Sequence, residues 1–324
     1  MGTWVEQLNR RAQIVVDQII AAREAAEKAG VDLSWLERQH RELLERLYAE
    51  EYAAARLRDT SDLVVRAEGP GTDHAAPSLK SFTWLSEHVR RQLTKLGEAV
   101  LPLAVEDAKA VSKKLGWVFT GYAPGSIMLG FALKSPAAIE GFEEADSIAF
   151  DAVRSAAQSI AAIPQYVGDT ELSAGIADQI PDPALRDAAI VAAWQLAPTN
   201  QSGIHTVEVA ARDGQYGSLS MRERVVLKQS VEKPVLRSSK SGSFLGYLRA
   251  ADLDKHRLIL RAVDGVGSIR CVTSPELDKY SRRFFGSRVS VSGTYETDLS
   301  GRPRLLRVEE IKEIAEPLMD LPLT

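Results

Sequence analysis

VSVSGTYETDLSGRPRLLRV, Val289 to Val308, reads as a strand, a turn and a second strand, with Arg302 and Arg304 in and beside the turn. Strands here imply that the chain changes character near its C-terminus, because its first sixty residues carry a helical pattern. Working outward from this hairpin gives the plan of the last third of the molecule.

Upstream, Phe244–Ala250 has strand character, followed by the polar turn ADLDKH. Arg257–Val263 forms a second strand, and Asp264-Gly-Val-Gly267 supplies glycines at the positions where a hairpin needs unusual φ. Ser268–Val272 is a third strand, and Pro275-Glu276 opens a short helix running to Phe285. Arg288–Tyr295 and Arg304–Ile311 are the fourth and fifth strands. The order β-β-β-α-β-β within about seventy residues resembles the OB-fold, a five-stranded Greek-key barrel. The helix between the third and fourth strands argues against an SH3-like barrel. Gly246 and Gly293 fit the sharp bends that a small barrel imposes on its strands. Phe284 and Phe285 are expected to plug one end.

The resemblance implies a ligand surface across strands two and three and the loops joining strands one–two and four–five. If Leu258, Leu260 and Ala262 face the core, Arg257, Arg261 and Arg270 project outward together, near Arg302 and Arg304 of the four–five turn. Arginines placed so would neutralise phosphates and release counterions. Against a nucleic-acid reading, strands two and three contain no aromatic residue on which a base could stack. The alternative is contact with protein, either a partner or the rest of the same chain.

Charge favours either outcome. From Met221 to Lys312 there are 19 basic and 11 acidic residues, whereas the remainder carries 21 basic and 33 acidic. A basic C-terminal module beside an acidic remainder suggests separate partners or mutual attraction.

The N-terminal residues 1–66 read as a helical hairpin. Leu8, Val15, Ile19, Ala22 and Ala26 form one stripe, Gly30 can end that helix, and Ser34-Trp-Leu-Glu37 has the form of a capping box. Leu36, His40, Leu43, Leu47 and Ala54 make a second seam, which needs the first helix or another subunit as its partner. Leu36, Leu43 and Leu47 are thus candidates for self-association. His40 is read as a packing residue, and His74, in the loop-like stretch 67–78, as solvated.

Residues 79–232 read as an α+β domain with a small antiparallel sheet. Leu79, Phe82, Val89, Leu93 and Leu96 lie on one helical face; Trp117–Leu133 is a hairpin around Ala123-Pro-Gly-Ser126. Helices are expected at Ile148–Ile163 and Pro183–Leu196, a strand at His205–Arg212, and a capping box at Ser220-Met-Arg-Glu223. A linker over 233–243 leads to the barrel at 244–316 and a tail at 317–324.

At 324 residues, 45% hydrophobic and 26% charged, the chain has the composition of an ordinary multidomain globular protein. Its most apolar helical stretch, Ala188–Leu196, is far short of the ~20 residues of a membrane span. The single cysteine excludes an internal disulfide, and the start MGTWVEQLNRR lacks the apolar core of a signal peptide. A cytoplasmic protein without membrane attachment is expected. No Walker loop, dinucleotide fingerprint, zinc-protease helix or nucleophile elbow occurs. The expectation is therefore a non-catalytic binding protein without a cofactor, engaging nucleic acid or another polyanion. The alternative is an adaptor subunit using the barrel and hairpin for protein contacts, or for self-association; a third, less favoured reading is an enzyme of unrecognised type acting in the α+β domain.

Overall fold

The computed structural model describes residues 3–314 apart from 33, 74, 75, 106, 107, 124, 125, 136, 138, 143, 200, 235 and 238. His74, Pro124, Gly125 and the tail 317–324 lie outside the described residues. The architecture is mixed α+β, with a five-stranded open sheet and a closed five-stranded barrel. Among the described residues no helix is long and apolar enough to cross a membrane.

Helices α1 (Trp4–Ala29) and α2 (Ser34–Thr60) form the expected hairpin. A capping box starts α1: Thr3 Oγ1 accepts from Glu6 N, and Glu6 accepts from Thr3 N. Gly30, at φ 66°, ends it as expected. The box expected at Ser34 does not form. Asp32 accepts from Ser34 N at 2.9 Å, while Glu37 receives two hydrogen bonds from Arg23 of α1. A bidentate guanidinium outcompetes a backbone N–H for that carboxylate. Leu8 and Ala12 of α1 close on Leu47 and Ala55 of α2, and Asp59 accepts from the backbone N–H groups of Trp4 and Val5.

The open sheet is antiparallel, in the order β2-β3-β1-β4-β5: β1 Leu63–Glu68, β2 Trp117–Ala123, β3 Ile127–Leu133, β4 Thr206–Ala211 and β5 Tyr216–Leu219. Its centre, β1, crosses the boundary expected at residue 66 between hairpin and linker. Alternation assigns its two faces. Leu63, Val65 and Ala67 enter the main core, and Val64 meets Leu57, Ala123 and Met128 on the side of α2. The hairpin is thus rooted on one face of the sheet.

The other face carries α3 (Leu79–Ala104), α5 (Glu144–Ser159) and α7 (Pro183–Leu196), with α4 (Ala108–Lys114), the short α6 (Ile176–Gln179) and α8 (Met221–Glu232) around them. Of the expected α3 stripe, Val89, Leu93 and Leu96 are buried, whereas Leu79 and Phe82, in its first turn, are exposed. Asp182 caps α7 through Ala184 N and Leu185 N, and the Ser220/Glu223 box opens α8. Helix α7 is buried on nearly every side, including Arg186 and Asp187. Two charged residues buried in mid-helix require partners. The barrel supplies them.

The barrel comprises β6 (Lys240–Asp252), β7 (Arg257–Val263), β8 (Gly267–Val272), β9 (Arg288–Thr297) and β10 (Pro303–Glu313), with α9 (Asp278–Arg283) between β8 and β9. It closes in the order β10-β8-β7-β6-β9, with β10 also paired to β9; β8 and β10 are parallel. Leu248, Leu258, Leu260, Ile269, Cys271 and Leu306 fill it. At Gly246 a Cβ would stand 2.6 Å from the Arg261 carbonyl oxygen, and at Gly293 it would collide with the Arg307 carbonyl. Both glycines are needed for strand approach. Phe284 is buried in the barrel core as expected, but Phe285 is 58% exposed and plugs nothing.

Candidate functional site

The alternation on β7 and β8 assigns inside and outside correctly for Leu258, Leu260, Arg257 and Arg270. What lies outside is helix α7. Arg257 is buried and gives Nε and Nη2 to the two oxygens of Asp187, at 2.8 and 2.7 Å. Its remaining N–H groups reach the carbonyls of Val231 and Lys255. Arg270 donates from Nε to Asp187 at 2.6 Å. Burial alone would raise the Asp187 carboxyl, but the two guanidinium groups outweigh it and hold the group well below the usual carboxylate range.

Two further ties use the same helix. Arg186 pairs with Glu296 of β9 at 2.7 Å, both side chains being buried. Arg304 of β10 donates to Asp182 at 2.9 Å and to the Leu103 carbonyl. The expectation that Arg257, Arg270 and Arg304 form a solvent-facing polyanion surface is therefore corrected. They fasten the barrel to the α+β body. A period-two pattern tells which side chains leave a barrel, but not which layer covers them.

Arg261 is half-buried, and its Nε has no hydrogen-bond partner among the described residues. Ala262, expected to face the core, is exposed at φ 54° in a bulge that interrupts the β7 alternation. Arg302 is exposed and stands 3.9 Å from Asp298, which itself accepts from Ser300 N and Arg302 N to fold the β9–β10 turn. Of the hairpin leucines, Leu47 is buried inside the hairpin, Leu36 is half-buried and Leu43 is 43% exposed.

The cations left without carboxylates gather elsewhere on the barrel. Arg249 of β6, Lys279 and Arg283 of α9, and Arg288 of β9 form no ion pair among the described residues. Tyr247 pairs with Arg288 across the strands, and Leu248 exchanges backbone hydrogen bonds with Gly286 and Ser287. These links bring the end of β6 beside the segment that follows α9. Rings are interleaved with the charges: the Arg249 guanidinium lies 5.2 Å over Tyr247, Lys279 5.0 Å from Tyr280, and Arg283 5.5 Å from Phe284. Phe285 stands exposed beside them. The sequence signal for this surface is the run KYSRRFFGSR, Lys279–Arg288, in which basic and aromatic residues alternate.

No match to the chain is found among protein-family models, curated proteins or solved structures.

Proposed function

We propose that this protein is a binding protein whose C-terminal barrel is an OB-like module that engages single-stranded nucleic acid through the surface around α9. The strand order supports the OB-like assignment. The first strand lies between the second and fourth, the third and fifth run parallel, and a helix joins the third to the fourth. The usual ligand face, on strands two and three, is covered by α7, so the surface is displaced toward α9. One observation carries the reading: four cations without an ion pair among the described residues, and the exposed Phe285 ring, lie on β6, on α9 and on the segment after it, which the Leu248–Gly286 and Tyr247–Arg288 pairings bring together. A positive track with a stacking ring is the minimal equipment for sequence-tolerant single-strand binding.

The test is fluorescence anisotropy of labelled single-stranded DNA and RNA over a salt series. Replacing Lys279, Arg283 and Arg288 together by Gln should flatten the plot of log affinity against log salt by roughly 2, at about 0.7 per lost phosphate contact. Phe285→Ala should weaken binding by about 1–3 kcal/mol. Unchanged affinity and slope in the triple variant would sink the proposal.

A second reading, an adaptor role, draws on the hairpin. Ile14, Ile20, Trp35 and Leu43 are exposed along it, which is apolar area suited to a protein contact. Sedimentation of the Ile20→Glu/Trp35→Glu variant against the parent would reveal self-association through this arm.

A further inference from the structure

Between α3, α7 and the barrel lies a cleft of about 520 Å³, within the size range of small-molecule sites. Its charges are unbalanced. Lys255, Arg257 and Arg270 line it and are all buried, yet among the described residues the buried carboxylate paired with the two arginines is Asp187 alone. Asp252 stands 3.5 Å from Lys255 and 3.9 Å from Lys95, but it is one-third exposed. Buried cations in excess of buried anions are costly unless something compensates them.

Two of the polar groups are also incompletely used. Arg257 spends its N–H groups on Asp187 and on backbone carbonyls. Arg270, 4% exposed, bonds Asp187 through Nε, and its two terminal nitrogens have no partner among the described residues. Gln92 of α3 lines the same cleft, is 3% exposed, and has no side-chain hydrogen bond among the described residues. Neither the Gln92 amide nor the end of Arg270 is among the fully enclosed atoms that lack a partner, so both open onto the cleft, where a ligand can meet them.

We propose that this cleft binds a small phosphate monoester with a non-aromatic remainder, its phosphate held by Arg270, Lys255 and Gln92. A dianion answers the excess positive charge, and the free end of Arg270 with two further donors suits an oxygen-rich head. Burial pushes the Lys255 ammonium below its ordinary value, Asp252 resists, and the like charges on Lys95 and Arg270 add to the burial effect. An anion among these three cations reverses that strain. The opposite wall is aliphatic, from Leu96 and Ala99 of α3, Val191 and Ala192 of α7, and Ile259 of β7. Among the described residues no aromatic ring lines the cleft, so none of them stacks on a nucleobase there. Glu98 and Asp254, both exposed, also line it and accept from hydroxyl groups of the remainder. The site is separate from the α9 surface and does not depend on the nucleic-acid reading.

Isothermal titration calorimetry on the full-length chain tests it, with glycerol 3-phosphate, inorganic phosphate, adenosine monophosphate and butyrate as probes. Glycerol 3-phosphate should bind one to one, more tightly than either inorganic phosphate or the nucleotide, with no heat from butyrate. Lys255→Met should weaken it at least 10-fold. Gln92→Leu, a neutral change that removes only the amide, should weaken it several-fold. The Lys279/Arg283/Arg288→Gln variant should bind it as the parent does. No heat from either phosphate, equal binding of butyrate, tighter binding of the nucleotide, or unchanged affinity in both Lys255→Met and Gln92→Leu would overturn the proposal.

Discussion

The barrel has two basic sides with opposite fates. On the side of β7, β8 and β10, Arg257, Arg270 and Arg304 are tied to Asp187 and Asp182 of a single helix, Arg270 through Nε, with its terminal nitrogens left toward the cleft. On the side of α9, Arg249, Lys279, Arg283 and Arg288 meet no described carboxylate. The number of arginines therefore says little about binding. What separates the sides is whether another layer of the same chain covers them. Covered cations act as fasteners, apart from the groups that border the cleft, and uncovered ones remain available to outside partners.

The largest effect that would break this contrast is expected at Asp187. Asp187→Ala leaves two buried guanidinium groups without a counter-ion and should cost about 3–5 kcal/mol in urea denaturation. The triple Gln change on the α9 side should alter stability by no more than about 0.5 kcal/mol. Comparable losses in the two variants would abolish the distinction. Acid supplies an independent reading. The folded-state pKa of Asp187 is depressed, so its contribution is present above the ordinary aspartate value of about 3.9 and is lost as pH falls further. Thermal unfolding followed at stepped pH should show an acid loss below about pH 4 that Asp187→Asn removes.

The hairpin offers the same contrast with apolar groups, at a smaller scale. Leu47→Ala should destabilise by about 2–3 kcal/mol because Leu47 is enclosed by Leu8, Ala12 and Ala55. Leu43→Ala, at an exposed position, should stay within about 0.5 kcal/mol. A large loss at Leu43 would show that its face is covered in solution. Smallest is the pair in and beside the β9–β10 turn. Arg304→Ala should cost about 1 kcal/mol through Asp182 and the Leu103 carbonyl, and Arg302→Ala almost nothing, both measured by thermal denaturation.

Local signals carried most of the architecture. Gly30, the Ser220/Glu223 box, the start of α7 at Pro183 and the β-β-β-α-β-β order all involve residues close in sequence, so a single chain displays them. Long-range pairing was less visible. Strand β1 follows α2 almost without a break, and its partners β3 and β4 lie far along the chain, so Leu63–Glu68 gave no hairpin signal. The Ser34 box failed because Arg23, eleven residues earlier, claims Glu37. The binding side failed for a related reason. Alternation on β7 and β8 registers an outward direction, while the cover over it comes from α7, about seventy residues upstream. The run Lys279–Arg288 was legible as composition, but its exposure was not, since Phe284 and Phe285 differ only in which way the chain turns them.

Helix α7 has a consequence for how the molecule comes apart. It presents apolar residues to the core over the open sheet and Arg186 and Asp187 to the barrel, so it belongs to both halves at once. A fragment ending before Lys240 would expose that helix with its charges stripped of partners. The isolated barrel would in turn carry an orphaned Glu296 and unmatched arginines. Neither half is a natural unit for expression, and the two should melt in one cooperative transition.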